Sequence, residues 1–107
     1  MEKCIVKNKG NLVGEVIREG KNKFTFIRTG KEYCAGLMFE DENGKLLDRV
    51  TIDHPFAIIQ NRVPKKENPR ATELMKQYGI KEYDEWELLK LSSGRMLGDK
   101  IEFIFEK

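Results

Sequence analysis

Few residues in this chain have types suited to chemistry: one histidine, His54, two cysteines, Cys4 and Cys34, and a glycine-bracketed stretch at 94–100, "GRMLGDK". His54 as a general base would need a nucleophile and an orienting acid, and no spacing in the chain supplies that set. It stands between Asp53 and Pro55, where a helix-start histidine is the simpler reading. Zinc is not expected, because Cys4, Cys34 and a single histidine contain no local ligand pair. Both cysteines fall in strand-like segments, where cysteine behaves as a small buried apolar residue. The stretch at 94–100 fails as a phosphate loop. Three residues, not four, separate its glycines, Asp99 stands before the lysine, and the order is helix then strand. The acids of "YDEWE" are explained by helix capping rather than by a glycosidase pair. The expectation is therefore no catalytic residue, no metal, no cofactor and no small-molecule substrate.

Charge offers more. Residues 62–76 hold Arg62, Lys65, Lys66, Arg70 and Lys76 against Glu67 and Glu73, a balance of +3. Residues 81–87 answer with Lys81 against Glu82, Asp84, Glu85 and Glu87, a balance of −3. Opposed patches of this kind can steer a charged protein partner, or can be solvated helix faces. The candidate partner surface joins the Asn61–Arg70 turn to the Tyr83–Trp86 helix start, with Arg62, Lys65, Arg70, Tyr83 and Trp86 as contacts. Arg, Tyr and Trp are the types enriched at interface hot spots. Trp86, the only tryptophan, serves equally as a core residue beside Leu89, and both readings stay open. An alternative function is nucleic-acid binding through 62–76, although no RNP-like aromatic pattern accompanies it.

These residues must be carried by a fold, and the first half reads as strands: "KCIVKN", "NLVGEVIRE", "KFTFIRT" and "EYCAGLMFE" are rich in β-branched and aromatic residues. Asn43-Gly44 is a strong hairpin signal, with residues 46–50 as the return strand. The second half reads as helices. Asp53 is expected to cap a helix through "HPFAIIQN", which Pro64 stops. Asn68-Pro69 opens the next, whose Ala71, Leu74, Met75 and Tyr78 share one face before Gly79 ends it. Asp84 with Glu87 marks a third helix start, buried through Trp86 and Leu89 and closed by Gly94. "KIEFIF" alternates as a final strand. The fold class is α+β: an antiparallel sheet or small open barrel of about five to six strands, with two to three short helices in the C-terminal half.

At 107 residues the chain is expected to be one domain, 1–107, too small for a complete kinase. A net charge of +2 does not demand nucleic acid. No apolar run nears the roughly 18 residues of a membrane span. The start has no apolar core of signal-peptide length. The expected address is the cytoplasm, with both thiols reduced.

The order of these motifs resembles the amino-terminal subdomain of HipA-type toxin kinases, and the small stand-alone HipS-like proteins that match it. Val13, Gly14, Glu15, Phe24 and Phe26 carry the first segment of the resemblance, and Asn61, Pro64 and Arg70 the second. Leu88, Leu89, Gly94, Arg95 and Gly98 carry the third. Together the segments cover about two thirds of the chain. The family's Pro-Leu-Ser-Leu-Ser-Leu-Pro-like strand is absent here, and Lys65 replaces the acid that follows its Asn-x-x-Pro. The resemblance implies a non-catalytic module: an antitoxin or regulatory partner of a HipA-like serine/threonine kinase on a separate chain. It further implies DNA reached only indirectly, through a DNA-binding antitoxin.

Overall fold

Phe24 and Phe26 alternate with Thr25 along one strand, and that two-residue period places both rings on one face of a sheet. In the computed structural model, which describes residues 2–34, 36–59, 68–93 and 100–105, this strand is β3 (Lys23–Arg28). Its companions are β1 (Glu2–Asn8), β2 (Asn11–Gly20), β4 (Arg49–Ile52) and β5 (Ile101–Phe105). The sheet order is β4-β3-β2-β1-β5, and every neighbouring pair is antiparallel. Four strands form a meander, and β5 returns after the helices to lie beside β1. The sheet is open, with β4 and β5 at its edges.

Register decides what is buried. Cys4 faces Val16, Val16 faces Phe26, and Val6 lies between Gly14 and Phe103. Directly opposed residues share a face, so these form the inner layer, and all six are buried. Gly14 is required there: a Cβ at this position would lie 2.3 Å from the Ile27 carbonyl and 2.8 Å from the Phe26 ring. The outer face carries Ile5, Ile17, Ile27 and Ile104 among charged residues, including the Lys3–Glu15 pair at 3.8 Å.

Three helices, α1 (Pro55–Ile59), α2 (Pro69–Tyr78) and α3 (Glu85–Ser92), contribute to the core against the inner layer. Asn68 caps α2, its side chain accepting from the Arg70 and Ala71 N–H groups, with Pro69 at the first helical position. Gly79 ends α2 in left-handed geometry at φ 70°. Asp84 caps α3 by accepting from Trp86 and Glu87. The carboxylate of Glu87 pairs with Lys90 at 3.4 Å.

Three expectations need correction. Residues 32–34 and 36–40 are not in a strand. Cys34, Leu37 and Met38 are buried without alternation, and Gly36 turns the chain at φ 94°. The Asn43-Gly44 turn forms, with Gly44 at φ 79°, but it opens no ladder beyond the Glu40–Leu46 bridge. Residues 49–52 pair with β3 instead. Asp53 does not cap α1: the first helical bond runs from the Ile58 N–H to the His54 carbonyl, which moves the cap position to His54. Pro64 and Gly94, read as helix stops, lie outside the described residues; α3 is capped at Ser93. The Ser93 hydroxyl also donates to the Phe103 carbonyl at 3.1 Å and accepts from its N–H at 2.8 Å. A side chain thus occupies the outward-facing peptide groups at the middle of edge strand β5.

Candidate functional site

Burying a carboxylate costs several kcal/mol unless hydrogen bonds replace its water, and Glu85 at the start of α3 is only 3% exposed. Its Oε2 accepts from the Phe56 N–H at 2.7 Å, and its Oε1 accepts from the Tyr83 hydroxyl at 2.6 Å. The first of these bonds supplies the cap that α1 lacks locally, from a residue 29 positions away. His54 closes the group, with Nδ1 3.7 Å from Glu85 Oε1 and Nε2 3.4 Å from Asp53 Oδ2. Nδ1 is buried and makes no hydrogen bond among the described residues. Burial and the neighbouring Glu85 carboxylate push the Tyr83 phenol well above its ordinary range. The cluster ties the entry to α1 to the start of α3, and Glu85 has its oxygens committed to structural donors.

The candidate partner residues divide. Trp86 is buried at 2% exposure. Its ring stacks on Phe24 at 5.8 Å between centroids and meets Phe105 edge-on at 5.0 Å. Of its two readings, packing is the one the geometry carries, and Trp86 is removed from the contact set. Tyr83 is half-buried through its bond to Glu85. Arg70 is on the surface of the first turn of α2, paired with Glu73 at 3.3 Å. It opens a ten-residue helix whose far end precedes Tyr83, about 15 Å along the axis. Arg62 and Lys65 lie outside the described residues.

The thiols are poorly placed for nucleophilic work. Burial pushes Cys34 up to about 11. Burial also pushes Cys4 up to about 12, partly offset by a backbone hydrogen bond from Val16 and reinforced by the charge of Glu15. A reactive cysteine needs the opposite shift. Among the described residues, no group of three or more His, Cys, Asp or Glu side chains is arranged to hold a metal ion. No helix among them is long and apolar enough to cross a membrane. A shallow depression between the β2–β3 turn and the start of α3 is lined by Glu2, Arg18, Glu19, Gly20, Lys21 and Asp84. Its charges largely answer one another, with Arg18 on Glu2 at 3.2 Å and Asp84 engaged in its cap.

Comparison with known proteins identifies no relative: no family model, no curated protein and no solved structure matches this chain. Two features escaped the sequence reading. Glu85 looked like one acid among several in a capping run, and nothing local distinguishes the one that turns inward. The sheet end that carries exposed Leu12 and Tyr33 gave no motif; its lysines are scattered through the chain at 7, 9, 31 and 100.

Proposed function

We propose that this protein is a non-catalytic regulatory module: the antitoxin-type partner of a HipA-like serine/threonine kinase carried on a separate chain. One observation carries the reading. Four of the five residues of the first motif lie on the inner side of the sheet: Val13, Phe24 and Phe26 are buried, and Gly14 admits the Phe26 ring and the Ile27 carbonyl, while Glu15 faces outward. A motif whose members depend on one another in three dimensions is a stronger basis for resemblance than the same letters scattered on a surface. A β-rich body carrying short helices also suits a subdomain that docks on a kinase. The buried, proton-retaining thiols and the structural use of Glu85 favour a binding role over a hydrolytic one.

The contact is assigned to Arg62, Lys65, Arg70 and Tyr83. The test is a pull-down with the product of a neighbouring reading frame that encodes a HipA-like kinase lacking this subdomain. Retention by wild type and loss with Arg62→Glu, Lys65→Glu and Arg70→Glu combined supports the reading. Retention unchanged by the triple variant removes this face. Steep, salt-dependent binding to duplex DNA without kinase binding would favour the nucleic-acid alternative.

A further inference from the structure

Four backbone segments meet at one end of the sheet. Lys9 donates its N–H to the Lys100 carbonyl at 2.9 Å, which joins the start of β5 to the end of β1. Lys7 pairs with Leu12 across the β1–β2 turn. The N–H groups of Gly30 and Glu32 reach the Val13 and Leu12 carbonyls at 3.1 and 3.2 Å, which lays residues 30–33 beside the start of β2. Four adjacent backbones span about 15 Å at the usual strand spacing. Across that width stand Lys7, Lys9, Lys31 and Lys100, and none of them has an ion-pair partner among the described residues. Leu12 and Tyr33 lie among them, 40% and 52% exposed.

We propose that this end of the sheet docks an acidic, extended segment of a partner protein. The platform is pre-organised: the Asn8 side chain donates to the Tyr33 carbonyl at 2.8 Å, and that of Asn11 donates to Glu32 at 3.1 Å. The other Glu32 oxygen accepts from the Tyr33 N–H at 2.9 Å, so this acid is tied into the scaffold. Charge complementarity sets the occupant. Four unpaired ammonium groups around two apolar side chains suit carboxylates spaced along a chain that also carries apolar residues. About five extended residues cover the span. Nucleic acid suits it less well. Glu102 stands opposite Lys7 across the β1–β5 pair, which leaves Lys9, Lys31 and Lys100 as the main charged contacts, and Tyr33 alone does not provide the succession of aromatic platforms on which single strands stack. The surface is separate from the Arg70–Tyr83 face and does not require its partner to be a kinase.

The test is titration of the whole protein with a fluorescent synthetic peptide of alternating glutamate and leucine, at low and at physiological salt. A single-stranded oligothymidylate of equal net charge is the comparison. Lys9→Glu, Lys31→Glu and Lys100→Glu combined should weaken peptide binding at least about tenfold, each reversal removing an attraction and adding a repulsion. Lys45→Glu, Lys76→Glu and Lys81→Glu combined apply the same change in net charge elsewhere and should leave more of the affinity. Should the first triple variant fail to fold, the milder Lys→Gln set at the same positions must weaken binding in the same order. Leu12→Ser with Tyr33→Ser should weaken the binding that persists at physiological salt. Absence of peptide binding at low salt, equal losses in the two charge-reversed triples, or tighter binding of the oligothymidylate overturns the proposal.

Discussion

At the scale of single residues, Glu85 is the clearest case of a charged group spent on architecture. Its carboxylate accepts from the α1 backbone and from Tyr83 in a site almost closed to water. Replacing it with alanine leaves the Phe56 N–H and the Tyr83 hydroxyl without their acceptor, a loss of about 2–3 kcal/mol readable in urea unfolding. Trp86→Ala should cost about 3–5 kcal/mol, since the indole sits between Phe24 and Phe105; a variant as stable as wild type would contradict its place in the core. The difference in legibility between these two residues is physical. For Trp86, a lone tryptophan beside leucines on a short helix, core was one of two readings open from its own segment, and its contacts with Phe24 and Phe105 decide it. Glu85 acts on a helix 29 residues away, and no pattern within its own segment records that partner.

Elements show the same division. Asn68-Pro69 and Asp84 were legible because a cap is satisfied within three residues. The sequence 32–40 looks like a strand because it is rich in aromatic and apolar residues, but richness is not alternation, and Gly36 opens a buried turn through residues 36–38 instead. Ser93 makes a separate prediction at this scale. Its hydroxyl holds both peptide groups of Phe103 at a sheet edge whose strand, "IEFIF", is apolar enough to pair with another chain. Ser93→Ala should lose about 1 kcal/mol and associate with rising concentration in sedimentation velocity. A monomer of unchanged stability over the same range would remove Ser93 as the guard of that edge.

For the whole molecule, the thiols make stability depend on alkaline pH. Both are raised from 9.0 in the fold, Cys34 to about 11 and Cys4 to about 12. The unfolded chain therefore loses these protons first. Their contribution is fully present below about pH 9 and is lost as the pH rises toward the folded values. Each ionising thiol should steepen the fall by about 1.4 kcal/mol per pH unit. Urea unfolding between pH 8 and 10.5 measures that slope, and Cys34→Ala should flatten it relative to wild type. An equal slope in the variant would place Cys34 in contact with water. Thiols that stay neutral through the physiological range are poor nucleophiles there.

The proposed binding to a kinase can be measured directly. Isothermal titration of this protein into a purified HipA-like kinase that lacks the amino-terminal subdomain measures the proposed complex itself. The expected result is a saturable complex of one module per kinase, weakened by Arg70→Glu and Tyr83→Ala without loss of fold, and a kinase activity that changes on saturation. No heat of binding with a folded kinase, or ATP hydrolysis by this chain alone that His54→Ala abolishes, would contradict it.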